Sequence, residues 1–217
     1  MPRLPRVVIP GIAHHVTQRG NRRLPVFFGE ADFALYRELI AEGCRKARVR
    51  VLARCLMPDH VHLVVLPDDE AGLRRALAEA HRRYTTAINR REGWRGHLWQ
   101  ERFHSFPMDD ALLSAAVRYV ELNPVRAKLA RSPGAWKWSS AKAHLTGKDD
   151  GLVSVAPLLE RAGDWKAFLG AGLETEQLDV IRSHERTGHP LGGTGAILLT
   201  KALYELERTN KEHALVT

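Results

Sequence analysis

The chain has 217 residues, of which 44% are hydrophobic and 27% are charged, and its formal net charge is +8. These fractions are ordinary for a soluble globular protein, and the sequence contains no internal repeat or low-complexity tract. No apolar run approaches the roughly 18 residues of a membrane-spanning helix, and the first residues lack the long apolar stretch of a signal peptide. We therefore expect a cytoplasmic protein with no membrane partner.

Positive charge is concentrated in the first two thirds of the chain. Residues 1–150 contain 26 Lys and Arg against 16 Asp and Glu, a net charge of +10, whereas residues 151–217 contain 7 against 9, a net charge of −2. Most of the basic residues are arginines, whose planar guanidinium groups match phosphate oxygens. The charge favours a nucleic-acid partner, although a solvated basic surface with no specific ligand would have the same composition.

The cysteine content excludes several kinds of site. Cys44 and Cys55 are the only two cysteines, too few for a disulfide framework and wrongly spaced for a zinc knuckle or a redox pair. We expect both to be buried, reduced thiols.

The first half of the chain alternates between strand and helix patterns. A short strand is predicted at residues 14–18, followed by a turn-prone basic run at 19–23. A helix is predicted over about residues 30–47, because its apolar residues are spaced by threes and fours. Alternating patterns over residues 49–57 and 60–66, separated by a turn, predict a hairpin.

The same order of elements continues toward the third helix. A second helix is predicted over about residues 70–91 and another strand over 98–106. Asp109 and Asp110 can cap a third helix that ends near Pro124. This order predicts an α+β fold with a split βαβ plan, in which an antiparallel sheet carries helices on one face and offers the other face to a ligand.

The chain changes character after the third helix. Beyond a Ser-Pro-Gly turn at residues 132–134 the sequence is helical but less regular. We therefore expect a catalytic domain over residues 1–130 and an accessory helical region over residues 131–217.

Two histidines share one face of the second hairpin strand. Side chains two apart in a strand point the same way and lie roughly 7 Å from each other, so His60 and His62 converge on one spot. The residues that point into the core are Val61, Leu63 and Val65. Neutral imidazole is a common ligand of divalent metals, and two such ligands need one or two further groups to complete a catalytic site. A pair of hydrogen-bonded structural histidines is the alternative.

The third helix offers groups that could complete such a site. Tyr119 and Asn123 are four residues apart and flank the apolar stripe of the helix, although Pro124 biases Asn123 toward a frayed end. A tyrosine hydroxyl has a reference pKa of about 10, so it needs a metal, a base or a favourable field to act as a nucleophile. Tyr36 and Tyr84 lie on predicted core stripes, and Tyr204 lies in the irregular tail. Tyr119 is therefore the candidate nucleophile, or else it fills the edge of the core.

Four segments together resemble the REP-associated tyrosine transposases, bacterial members of the single-tyrosine HUH transposase superfamily. These segments are HHVTQRGNRR (14–23), CLMPDHVHLVV (55–65), LWQERFHS (98–105) and RYVELNPVRA (118–127). Their order and spacing match the family over about residues 9–145. Each segment alone is unspecific, but the joint pattern is specific.

The resemblance implies a ferredoxin-like HUH nuclease that binds single-stranded DNA hairpins at repetitive extragenic palindromes and cuts beside them. It implies that His60 and His62 are metal ligands, that Asn123 is a third ligand, and that Tyr119 becomes 5′-phosphotyrosine. The cation would be Mg²⁺ or Mn²⁺, and manganese has equal weight because magnesium prefers oxygen ligands. No nucleotide cofactor is expected, because the sequence contains neither of the glycine-rich phosphate-binding motifs GxxxxGK(S/T) and GxGxxG.

Residue types support a DNA partner independently of the resemblance. Arginines after the first strand and on the second helix can bind backbone phosphates: Arg19, Arg22, Arg23, Arg82 and Arg83. Trp94 could stack on an unpaired base. Trp99 and Phe103 are instead expected to be buried in the sheet.

The C-terminal part departs from the family. The segment SHERTGHPLG at residues 183–192 resembles the family's HERTGRPLG, but the sequence after residue 192 lacks the expected amphipathic and basic continuation. Its histidines are five apart, which excludes the zinc protease motif. The divergent tail supports one alternative, a DNA-binding regulator that does not cut. A third interpretation is a structural metal-binding protein, which the arginine-rich surface opposes. The sequence also leaves open whether the protein is a monomer or a homodimer.

Overall fold

The structure, a computed structural model, describes residues 7–187, with side chains described as far as Ser183. One antiparallel sheet has the strand order β2-β3-β1-β4 and consists of β1 (His14–Arg19), β2 (Val49–Met57), β3 (His60–Pro67) and β4 (His104–Pro107). The helices are α1 (Glu30–Ala47), α2 (Gly72–Glu92), α3 (Asp110–Arg126), α4 (Ala141–Thr146), α5 (Ala156–Ala162), α6 (Trp165–Gly170) and α7 (Thr175–Thr187). With α1 between β1 and β2 and α2 between β3 and β4, the predicted ferredoxin-like α+β fold is confirmed.

Side-chain alternation gives the sheet two different faces. On the first face, Val61, Leu63 and Val65 of β3 pack against α1 and α2. The apolar stripes of both helices lie in this core: Phe33, Tyr36, Ile40, Cys44 and Ala47 on α1, and Leu73, Leu77, Ala80, Tyr84 and Ile88 on α2. The predicted periods of these strands and helices are therefore confirmed.

The second face is partly covered by α3, whereas the sequence predicted a face open to ligand. Val64 of β3 and Ala53 of β2 form a second core with Val117 and Val120 of α3. The reason is that β2 and β3 are apolar on both faces, so leaving the second face in water would forfeit the burial of that surface. An opening remains on this face beside β1 and β4.

The chain after α3 closes the free edge of β2. The N–H of Leu56 donates to the carbonyl of Trp138 (3.0 Å), and the N–H of Ser140 donates to the carbonyl of Arg54 (2.9 Å). The buried guanidinium of Arg54 also pairs with the carboxylate of Asp150. Edge-strand groups that would otherwise be unpaired are thus satisfied. The region after residue 130 shares both cores with the sheet, and a domain boundary at that residue stays a prediction.

β4 is shorter than the strand predicted over residues 98–106. Its ladder with β1 begins at His104, and just before this residue the side-chain amide of Gln18 donates to the carbonyl of Glu101 (2.7 Å). Upstream of this point, the N–H of Gln100 donates to the carbonyl of the last residue of β1 (2.9 Å). The residues between the two pairings form a bulge, a feature common beside active sites.

α3 continues past Pro124, where the sequence predicted that it would end. The helix runs to Arg126, and the N–H of Ala127 donates to the carbonyl of Asn123 (2.9 Å). Pro124 is buried in the last turn, so its packing offsets the single helix hydrogen bond that its missing N–H removes. Asn123 is therefore held in regular helix and not at a frayed end.

Several smaller expectations also have an outcome. Cys44 and Cys55 are buried, free thiols as predicted, and burial raises the pKa of Cys44 to about 12. Among residues 7–187, no helix has the length and apolar character needed to cross a membrane. The chain after Thr187, with most of the segment at 183–192, lies outside the described residues.

His14 is buried as the neutral imidazole. Its Nδ1 donates to the carbonyl of Ile12 (2.8 Å), and its Nε2 accepts from the N–H of Ile9 (3.2 Å). Only a neutral ring with its proton on Nδ1 can make both hydrogen bonds. Burial lowers the pKa of His14 from 6.5 to about 4, and the hydrogen bond to Ile12 opposes that shift.

We expect the free energy of unfolding to fall as the pH is lowered from 7 to 5. The unfolded chain protonates His14 below pH 6.5, whereas the folded chain resists protonation down to about pH 4. The stability that neutral His14 contributes is therefore complete above pH 6.5 and is lost as the pH falls toward about 4. His14 should account for about 2 kcal/mol of the loss between pH 7 and pH 5 in urea denaturation. His14→Asn keeps a donor near Nδ1 but cannot be protonated, so its loss should be smaller by that amount. An equal pH dependence in both proteins would contradict this role of His14.

Candidate active site

The second face of the sheet brings together histidines from β3 and β4. Strand pairing sets Thr17 opposite His62 on one side and opposite His104 on the other, and it sets Arg19 opposite His60. Directly paired residues project to the same face, so all five side chains lie on the face away from α1 and α2. A cavity of about 140 Å³ opens among them, and its wall is completed by Gln18, Arg23, Gln100 and Glu101.

The rings of His60 and His62 are oriented by partners behind them. Their centroids are 4.9 Å apart and their planes are perpendicular. Nδ1 of His60 bonds the carboxylate of Asp59 (2.6 Å), and Nδ1 of His62 bonds Nε2 of His15 (3.1 Å). In each ring Nε2 is thus the nitrogen that would bind a cation, and a carboxylate behind a ligating histidine is the usual support. The sequence did not identify His15, because its partner lies on another strand.

His62 is held in the neutral form. Burial lowers the pKa of His62 well below its ordinary value, and the nearby charges of His60, His15 and Arg126 act in the same direction. Neutral imidazole is the form that ligates metals. The pair is therefore chemically suited to hold a divalent cation.

Tyr119 of α3 lies against this pair, as the sequence predicted. Its ring centroid is 5.7 Å from that of His62 and 6.5 Å from that of His15, with nearly perpendicular planes. The guanidinium carbon of Arg126 lies 3.9 Å from the centroid of the tyrosine ring. The ring is only 6% exposed. Asn123 lies one helical turn further along α3 and is also buried.

The bulge before β4 adds a carboxylate that sequence reasoning missed. Oε1 of Glu101 bonds Nε2 of His104 (2.9 Å) at the cavity wall. The two residues are three apart within the segment LWQERFHS, which gave no sign of the bulge that brings them together. In the described part of the chain, no set of three or more His, Cys, Asp or Glu side chains is arranged to hold a metal. A cation here would therefore need amide or DNA oxygens beside His60 and His62.

Comparison with known proteins agrees with this fold. The sequence profile of the family described as "Transposase IS200 like" matches residues 9–123, more than half of the chain. The chain belongs to the IS200-like transposase family. A Haemophilus influenzae protein assigned to the REP-associated tyrosine transposases is 25% identical over 116 residues, which span 48% of this chain and 66% of that relative.

A solved structure supports the fold of this IS200-like transposase. The structure of a REP-associated tyrosine transposase bound to a REP hairpin superposes with a TM-score of 0.58, covering 71% of this chain and 92% of that one. The two are 21% identical, so the likeness shows a shared fold. The resemblance drawn from the sequence motifs is confirmed by these matches.

The predicted DNA-binding arginines after β1 lie at or beside the transposase cavity. Arg19 and Arg23 line it. Arg22 is exposed in a short 3-10 turn, Asn21–Arg23, where its φ of +56° is in the left-handed region. Two of these guanidinium groups thus lie at one end of the second face, and the contact of all three arginines with DNA stays a prediction.

The remaining predicted DNA contacts lie apart from that cavity. Arg82 lines a second, larger cavity, whereas Arg83 bonds Glu42 of α1 (2.7 Å) on another side of α2. Trp94 is 49% exposed and meets Phe28 edge-on, with centroids 5.5 Å apart. The structure therefore places Trp94 where a base could stack. The predicted burial of Trp99 and Phe103 is confirmed.

A buried polar network fixes the helix that carries Tyr119. The carboxylate of Glu121 accepts hydrogen bonds from Oγ of Ser140 (2.5 Å), Nδ1 of His144 (2.7 Å) and Nε1 of Trp165 (2.9 Å). The serine, glutamate and histidine are at most 2% exposed, and the serine bonds the carboxylate and not the imidazole. The cluster is thus no hydrolytic triad. It ties α3 to α4 and α6.

Glu121→Ala is expected to lower the free energy of unfolding by about 3 kcal/mol, because three buried donors lose their acceptor. Denaturation in guanidinium chloride measures this change. The control is Glu79→Ala, which removes an exposed carboxylate bonded to Arg82 and should leave stability nearly unchanged. Similar effects of the two substitutions would contradict the network's structural role.

Proposed function

We propose that this transposase cleaves and rejoins single-stranded DNA beside hairpins, with Tyr119 as the nucleophile. The observation that supports this most directly is the ring of Tyr119 lying 5.7 Å from the ring of His62, on the face that carries the cavity. The relative of known structure is bound to a REP hairpin, which favours hairpin DNA as the substrate here.

The basic groups around the cavity account for the binding step. Arg19 and Arg23 line the cavity and Arg22 lies beside it, so they can neutralise phosphates on either side of the scissile bond. The net charge of +10 on residues 1–150 would attract the strand over a longer range. Both effects position the backbone without reading its sequence.

The chemistry is a transesterification. The Oη of Tyr119 attacks the phosphorus in line and loses its proton, the bond from phosphorus to the 3′ oxygen breaks, and the departing 3′ oxygen takes up a proton. The phosphate stays on Tyr119 through the 5′ side of the cut, so the energy of the phosphodiester is kept. A later 3′-hydroxyl attacks this 5′-phosphotyrosine, frees Tyr119 and joins the strand at a new junction.

Protein groups around Tyr119 fit the needs of that reaction. The guanidinium of Arg126, against the tyrosine ring, places positive charge close to the attacking group, where it would offset the negative charge that develops in the reaction. The neutral imidazole of His62 and the imidazole of His60 would hold a divalent cation, with Asn123 as a third ligand, and two nitrogen ligands favour Mn²⁺ at least as much as Mg²⁺. Such a cation, when bound, polarises the scissile phosphate.

One observation favours a second candidate function. Tyr119 is only 6% exposed, so little of its side chain is accessible to DNA. A regulator that holds hairpins without cutting them needs no accessible tyrosine. Only a reaction on DNA separates the two functions.

Tyr119→Phe should abolish covalent attachment to DNA while hairpin affinity changes by less than about twofold, because only the attacking oxygen is removed. The assay incubates the protein with Mn²⁺ and single-stranded oligonucleotides carrying palindromic hairpins from beside its own gene, and a denaturing gel reveals the adduct. Tyr84→Phe is the control, since that hydroxyl bonds the carbonyl of Val26 in the opposite core and the adduct should persist. An adduct in Tyr119→Phe overturns the assignment, and tight binding with no adduct in the unmodified protein supports the regulator.

Asp59→Ala should weaken Mn²⁺ binding by about 10 to 100-fold, because the carboxylate that orients His60 is lost. Isothermal titration calorimetry with Mn²⁺ alone gives the dissociation constant. Asp69→Ala removes a carboxylate that pairs with Arg75 on the surface and is expected to leave Mn²⁺ binding intact. The metal assignment fails if the two variants bind Mn²⁺ equally well.

A further inference from the structure

A second cavity adjoins the first, between α2 and the segment that precedes β4, and its volume is about 540 Å³. We propose that it receives an unpaired base of the DNA strand next to the scissile phosphate. This inference rests on the proposed strand cleavage and adds a specificity pocket to it. A volume of this size is typical of sites that enclose a small organic group.

The two cavities adjoin at the bulge before β4. Gln100 and Glu101 line both of them, so the bulge forms the ridge between the cavities. A strand whose phosphate lies at His60 and His62 can cross this ridge and present its next base to the larger cavity.

The walls of the larger cavity have the mixed chemistry that a nucleotide needs. Ala78, Arg82 and Thr85 are spaced by four and three residues along α2, so they present one face to the cavity. Arg102 stands on the opposite side. Guanidinium groups at the rim suit phosphates, and a methyl, a hydroxyl and aromatic rings inside suit a base.

The aromatic floor of this cavity is fixed before any ligand arrives. His81 and Trp99 are 8% and 7% exposed, and their ring centroids are 5.1 Å apart. A 2.8 Å hydrogen bond joins Nε2 of His81 to the hydroxyl of Tyr36, and the indole of Trp99 packs against Tyr36 and Tyr84. Rings that are already immobilised lose little entropy when a base packs on them.

The indole N–H of Trp99 is an unusual group in this floor. It is buried, and none of the described residues accepts a hydrogen bond from it. An unpaired buried donor is costly, and the edges of all DNA bases carry acceptors. A bound base is thus the occupant that best fits both the rings and the unpaired donor.

The test asks whether filling the cavity removes the effect of a missing base on DNA affinity. The probes are the hairpin oligonucleotide with single-stranded flanks and a series in which each flanking base in turn is replaced by an abasic sugar. In the unmodified protein, one abasic position next to the cleaved bond should lower affinity about tenfold. Thr85→Trp fills the cavity, so it should bind the intact oligonucleotide about tenfold more weakly and be indifferent to that abasic position.

Matched variants keep the test decisive. Thr146→Trp makes the same change at an exposed position on α4 and should behave as the unmodified protein does. Ala78→Phe fills the same cavity from an exposed position on α2, so it replaces Thr85→Trp if thermal unfolding shows that variant to be damaged. The pocket is overturned if both filling variants still lose affinity at that abasic position, so that the affinity loss from filling the cavity and the loss from the missing base multiply.

The same oligonucleotides separate failure of the pocket from failure of the proposed function. Adduct formation at Tyr119 with no coupling between cavity and base would overturn the pocket alone. Absence of both adduct and hairpin binding would overturn the pocket and the cleavage function together.

Discussion

The register of β3 between its two neighbours is the constraint on which the site depends. Because strand side chains alternate with a period of two, a slip of one residue would carry His60 and His62 into the core beneath α1 and α2 and would expose Leu63. The burial of Val61 and Val65 against those helices opposes such a slip. The hydrophobic core on one face thus sets the position of the imidazoles on the other.

The site also depends on the position of α3 over that face. Apolar packing alone permits small shifts along the helix, but hydrogen bonds to the carboxylate of Glu121 are directional. Ser140, His144 and Trp165 all come from the region after residue 130, which also closes the free edge of β2. The accessory helices therefore brace Tyr119 as well as the sheet, although none of them lines the 140 Å³ cavity.

Features with a strict local period could be predicted from the sequence. The hairpin of β2 and β3 and both long helices of the first core follow from such periods. The approach of Tyr119 to the histidine pair was instead implied by the family resemblance. Features that depend on distant partners could not: Gln18 bonds a carbonyl of the bulge 83 positions away, and His15 supports a histidine 47 positions away. The helix end predicted near Pro124 was wrong, because the local bias of proline against helix is weaker than the burial of the last turn of α3. Arg83 pairs with Glu42 on α1, apart from the cavity, and charge alone could not indicate that position; its contact with DNA stays a prediction.

The residue that carries the covalent bond to DNA decides whether Tyr119 is the nucleophile. The chain contains four tyrosines, and α3 brings Tyr119 to the histidine pair while Tyr36 and Tyr84 are buried in the opposite core. The protein is allowed to react with hairpin DNA, the DNA is trimmed with nuclease, and the peptides are sequenced by tandem mass spectrometry. The account predicts a nucleotide linked through its 5′ phosphate to Tyr119 and to no other residue. A nucleotide on another tyrosine, or on a residue outside α3, would contradict it.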